Sequence, residues 1–412
     1  VSPFTADAAA GLAGRDGARR RAAARFAETP LPTADSEDWR YSPIDSLDLE
    51  ALAPVLEATA EPVDLVAEVA GRFADRVATV VVVDGWLARS ELDAGWAAKG
   101  LEVVADGTDR PRPEAVSAFD HLHEAFNPAR VRVRVPSGAA VEGPIVVVQV
   151  HTTAGGASFP HLVVEVGPDA EATVVEHRCS TTGDGLVVPL VEVEVADAAR
   201  ARYVELQDLT AGLWQLGRQA STVGAQASFT AAAAVFGGGY ARVRTDCRLM
   251  GRGGGADLVA AYYGDGDQTI DFRTFQHHEA PDTRSDLFYK GALDDRSGSI
   301  YSGLIRIHPD GAGSNAFQTN RNVKLSDDAW AWSVPNLEIQ NNDVRCSHAS
   351  TVSPIDAEQR FYLHSRGVPP PVADRLIVTG FFDEALRRLP SGTAAGWARR
   401  RIADKLDKRE RR

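Results

Sequence analysis

The residues best placed to do chemistry lie near the end of the chain, where Cys346 and His348 stand two apart in an extended stretch. Side chains alternate along a strand, so Val344, Cys346 and His348 share one face. A soft thiol beside an imidazole suits iron, zinc or an iron–sulfur cluster. A second candidate, His277-His278-Glu279, is weakened by the same alternation. Neighbouring strand residues point to opposite faces, so the two imidazoles are expected to diverge and to be polar positions on a β-body. A third group, Asp282, Asp286, Asp294 and Asp295, offers paired carboxylates of the kind that cleave glycosides. Acidic turn residues look the same in sequence. No G-x-x-x-x-G-K-[ST] and no G-x-S-x-G occurs, and the runs Gly237-Gly238-Gly239 and Gly253-Gly254-Gly255 read as tight turns.

The elements that must position these groups fall into three stretches: 1–120 mostly helical with a short strand segment, 121–353 a β-core, and 354–412 helical. Helical spacing covers Gly11 to Phe26, Leu49 to Leu56 and Val63 to Phe73. Prolines 30, 32 and 43 impose an extended linker around Asp38-Trp39-Arg40-Tyr41. Val77 to Trp86 is a β-branched strand turning at Asp84-Gly85. From Val131 onward short alternating strands and glycine turns follow one another, the pattern of a sandwich, a barrel or a β-solenoid, with no clean repeat to choose among them. Past His348, Asp356 with Gln359 forms a capping-box pattern and Gly367 a helix stop. Pro369-Pro370-Pro371 opens a second helix, with an expected apolar face of Ala373, Leu376, Ile377, Gly380, Phe381 and Ala385, ended by Pro390.

The 412 residues carry a formal charge of −13, which disfavours nucleic acid and anionic membrane as partners. No apolar run is long enough to span a bilayer. The Ala/Arg-rich beginning of the chain lacks the apolar segment of a secretory signal. The basic run Arg399 to Arg412 is interrupted by acids and reads as a charged helix end. Three scattered cysteines, Cys179, Cys247 and Cys346, make no disulfide framework and fit a reducing cytoplasm.

Several motifs together carry a resemblance. Leu337-Glu338-Ile339, Asp343-Val344-Arg345-Cys346-Ser347-His348, Phe361-Tyr362-Leu363 and Ser365-Arg366-Gly367, with Asp38-Trp39-Arg40-Tyr41 near the start, are similar to the SufB/SufD family of iron–sulfur cluster assembly proteins, in its SufD branch. Ala349 stands where the family usually has glycine. The resemblance implies a right-handed parallel β-helix core flanked by helical regions. It implies a non-catalytic subunit that pairs with a SufB-like paralogue and binds a SufC-like ATPase, with a homodimer as the form available to the isolated chain. His348 and Cys346 become candidate cluster or iron ligands at the subunit interface. Phe361, Tyr362, Arg366, Phe381 and Phe382 become candidate partner contacts on the ATPase-docking helices. No cofactor is expected on the isolated chain, only a transient cluster in the complex. SufB-type members carry a cluster-building cysteine where this chain has Asn320, and asparagine is a poor iron ligand. The competing class is a carbohydrate-active β-helix enzyme.

Overall fold

A computed structural model describes residues 2–12, 16–106 and 112–411. The middle of the chain winds into a parallel β-solenoid of about 8 turns. Each turn adds one strand to each of two sheets. One sheet runs through Tyr240–Leu249, Thr269–His278 and Gly298–Ile307 to Trp330–Ile339. The other runs through Gly255–Gly264, Arg284–Leu293 and Asn315–Lys324 to Arg345–Pro354. Pairing in these rungs is parallel and in register, so equivalent side chains stack in columns. The step between rungs varies: Arg242 pairs with Asp271 over 29 residues, and Arg306 with Glu338 over 32. That unevenness hides the repeat from a fixed-period search.

Alternation alone would bury one face of each strand, yet several strands are buried throughout, Ala78–Val83 among them. Both outer faces are covered. Val146, Val204, Val259 and Phe288 on one sheet receive Val378, Phe382, Trp397 and Ile402 from the helices Pro370–Arg388 and Gly392–Glu410. On the other, Phe159, Leu216 and Tyr240 receive Phe4, Phe26, Trp39 and Phe126 from the N-terminal third. Valine-rich columns such as Val133, Val164 and Val193 fill the interior.

The sheets begin earlier than residue 121. Ala78–Val83, Trp86–Leu92 and Glu102–Asp106 already belong to them, the last two as antiparallel strands that close the first rung. Helix Ala118–Phe126 runs across the expected boundary at 120. Within the helix expected over Gly11–Phe26, residues 13–15 lie outside the described residues, and Asp16–Glu28 is helical. Arg412 of the basic run also lies outside them. Leu49 to Leu56 is not a helix but a single turn, Leu49–Ala51, capped by Asp48 and leading to a two-residue strand at Ala53–Pro54. The linker at Trp39 lies along the solenoid. The Arg242 guanidinium sits 3.8 Å over the buried Trp39 ring, and Tyr41 stacks on Trp332 at 4.3 Å. Among the described residues no helix is long and apolar enough to cross a membrane.

Candidate functional site at the open end of the solenoid

Both sheets stop at an unpaired edge. Trp330–Ile339 bonds to Gly298–Ile307, and Arg345–Pro354 to Asn315–Lys324, with no described strand beyond either. Burial lapses here, leaving Trp332 48 %, Ile339 45 % and Val352 40 % exposed. Register stacks Cys346 on Ala316, His348 on Gln318, Ser350 on Asn320 and Val352 on Asn322. All four supporting residues are buried, while the intervening Phe317 is exposed. Cys346 and His348 therefore occupy the interior-facing columns of a last rung that opens to solvent.

The two donors meet different floors. Cys346 packs with Val344 and Leu337 against Ile305, Ile307 and Ala316, and partial burial pushes its thiol pKa up. Such a thiol stays protonated until a metal displaces the proton. His348 is exposed above a polar floor, where Gln318 accepts from Tyr301 Oη at 2.8 Å and donates to the Asn336 carbonyl at 3.3 Å. Beside it, Ser350 Oγ donates to Ser333 Oγ at 2.7 Å, joining the two sheets. Two donors do not complete the four-ligand sphere of an iron–sulfur iron. The remainder would have to come from outside this rung.

Asn320 is fully engaged inside. Its carboxamide oxygen accepts from Asn322 Nδ2 at 2.9 Å and from Ser333 Oγ at 3.0 Å, and its nitrogen donates to Tyr262 Oη at 3.1 Å. Cys179 and Cys247 are buried, and burial pushes their thiols up to about 12 and about 11. Neither is poised for ligation.

The C-terminal helices place the expected partner contacts unequally. Phe361 is 75 % and Tyr362 57 % exposed, with the Arg366 guanidinium 5.3 Å over the Tyr362 ring. Phe381 is half-buried, and Lys290 Nζ lies 4.7 Å from its ring and donates to its carbonyl at 2.9 Å. Phe382 is a correction: it is wholly buried against the outer sheet and presents nothing to a partner. The expected apolar face is rotated for the same reason. Val378, Phe382, Ala385 and Leu386 join Ala373 in facing the solenoid, while Leu376 is 53 % exposed. Leu376, Ile377 and Phe381 form a groove with Ile355, Tyr362 and Leu363.

The histidine pair diverges as expected. His278 is buried between Thr283 Oγ1 at 2.8 Å and Ser285 Oγ at 2.9 Å. His277 points outward and meets Glu279 and His308. His308 was invisible as a partner in sequence because only the rung register brings it there. The four aspartates lie in ion pairs and turns. Asp282 binds Arg252, Asp286 binds Arg388 and Asp294 binds Arg409. Asp282 and Asp295 are turn residues with positive φ.

The family model for the SUF system FeS cluster assembly SufBD core domain matches residues 149–381, the stretch from the early rungs to the first groove helices. An iron–sulfur cluster assembly SufBD family protein of Mycobacterium tuberculosis is 34 % identical over 68 % of this chain and 70 % of its own. Iron–sulfur cluster assembly protein SufD of Escherichia coli is 26 % identical over 87 % of this chain and 86 % of its own. SufD of Bacillus subtilis is 29 % identical over 65 % and 62 % respectively. With its solenoid, its open last rung and these relatives, the chain belongs to the SufBD family of iron–sulfur cluster assembly proteins.

Proposed function

We propose that this chain is a non-catalytic, SufD-type subunit of a cluster assembly complex, pairing through the open end of its solenoid with a SufB-type partner. The nascent cluster is cargo at that junction, with His348 and Cys346 supplying part of its ligand set. The observation that carries this reading is the coincidence of unpaired strand edges, exposed apolar side chains and two soft-metal donors in one rung. Free edges template pairing with a second sheet. In the isolated chain, the same edges offer a homodimer contact. Asn320, held by three hydrogen bonds, supports a supporting rather than a scaffold role. The groove at Tyr362, Leu376 and Phe381, with Phe361 and Arg366 at its side, is the surface for a SufC-type ATPase.

The test is co-expression with SufB- and SufC-type proteins. Ile339→Lys puts a charge on the exposed edge strand, so it should abolish capture of the SufB-type chain while the ATPase is still captured. His348→Ala should leave the complex assembled but lower its iron and acid-labile sulfide after anaerobic reconstitution. Full SufB-type capture by the Ile339→Lys chain would place the junction elsewhere, and unchanged cluster yield would remove His348 from the site.

A further inference from the structure

Outside the open rung, the outer face of the solenoid carries a second group of donors that the assembly reading does not use. Strand register explains how it forms. Arg248, His277, Arg306 and Glu338 stack in one column of successive rungs. Just past the strand ends, the Glu279 amide bonds to the Leu249 carbonyl and the His308 amide to the His278 carbonyl, so His308 lies one rung above Glu279. His277 and Glu279, two residues apart, share the outward face. The result is two imidazoles and a carboxylate whose ligating atoms all lie within 4.8 Å of one another.

The spacing favours a metal over a simple hydrogen bond. His277 Nδ1 and His308 Nε2 are 3.4 Å apart, with ring planes tilted by 42°. Zinc bonds of about 2.0–2.1 Å in a tetrahedron set neighbouring ligand atoms about 3.3–3.4 Å apart. The nitrogens thus already stand at the edge length of a coordination tetrahedron, and the gap is long for N–H···N. Glu279 is held by Arg248, Nε to Oε1 at 2.7 Å and Nη2 to Oε2 at 2.9 Å. That pair is solvent-accessible, with the arginine 50 % exposed. A carboxylate also has lone pairs to spare for a metal beside a guanidinium. All three donors are half-buried, leaving room for water on the open side.

We propose that His277, His308 and Glu279 form a binding site for one divalent first-row transition metal ion, Zn2+ or Fe2+ in chemistry, with water completing its coordination. Three protein ligands and an open position match a nitrogen- and oxygen-ligated site. The site is separate from Cys346 and His348, and it clamps two successive rungs together. The loop into the last strand lies alongside, with Asn341 Nδ2 donating to the Pro309 carbonyl at 2.7 Å.

The experiment titrates the full chain anaerobically with Co2+ alone, reading the visible ligand-field band, then adds Zn2+ or Fe2+ as competitor. The expected result is one Co2+ per chain, displaced by both competitors. The band should persist in a Cys346→Ala/His348→Ala double variant. His277→Ala and His308→Ala should each weaken binding tenfold or more, and Glu279→Gln should do so without removing an imidazole. Metal-free melting curves of each variant, unchanged from the parent, show that lost binding is not lost folding. The proposal is overturned if no Co2+ binds. It is equally overturned if the histidine variants bind as well as the parent, or if the double variant abolishes binding and so moves the metal to the open rung.

Discussion

Two phenylalanines on neighbouring helices separate the folding role of the C-terminal region from the docking role proposed for it. Phe382 is fully buried in a cluster with Phe288, Val323 and Trp397, so Phe382→Ala removes a large ring from a filled site and leaves a cavity. Such truncations cost about 3–5 kcal/mol. Phe361 is 75 % exposed, so Phe361→Ala should change stability by no more than about ±0.5 kcal/mol. Their effects on ATPase capture reverse. Burying an exposed aromatic side chain at an interface is worth about 1.5–3 kcal/mol, or roughly tenfold to a hundredfold in affinity. Phe361→Ala should lose that much, whereas Phe382→Ala should bind normally under conditions where it remains folded. Guanidinium unfolding followed by circular dichroism measures the first pair of quantities, and calorimetric titration with a SufC-type ATPase the second. A Phe382→Ala chain as stable as the parent would refute the packing account. A Phe361→Ala chain with unaltered binding would move the docking surface away from this groove. Deleting the helices outright is a poorer test, because it strips the cover from Val204, Val259 and Phe288.

The remaining predictions concern the interior. His177 is buried beside Trp397 at 5.0 Å, and burial, aided by Arg72 and Arg401, pushes its pKa down to about 3 from an ordinary 6.5. The unfolded chain therefore binds the extra proton first, so this contribution is intact above pH 6.5 and is lost as pH falls toward 3, by up to about 1.4 kcal/mol per unit. Denaturation midpoints measured from pH 7 to pH 4 should show that slope, and His177→Gln should flatten it. Asn320→Ala deprives Asn322 Nδ2 of its acceptor and should cost about 1–3 kcal/mol in urea unfolding; no loss would mean that the interior network is not supporting the rung.

How much of this was legible follows from the range over which each signal acts. Local signals were readable: the Asp356 cap, which accepts from the Glu358 and Gln359 amides, the positive-φ stop at Gly367 and the turn at Asp84-Gly85. Strand Leu213–Val223 was not, because Gly217, Arg218 and Gln219 interrupt its apolar pattern while pairing on both sides supplies its stability. The stripe on Pro370–Arg388 was misread for a similar reason. Leu376 and Phe382 are equally apolar, and only the outer sheet decides which is covered.

The candidate site divides along the same line. That Cys346 and His348 share a face follows from period-two alternation. That this face belongs to the last, unpaired rung depends on where the solenoid stops. The metal-type cluster is the sharper case. Alternation already parted His277 from His278, but only the fold joins His277 to His308 over a distance of 31 residues. In a solenoid, neighbours along the chain diverge and neighbours one rung apart converge. Chemistry assembled across rungs is therefore out of reach of alternation, and only the register reveals it.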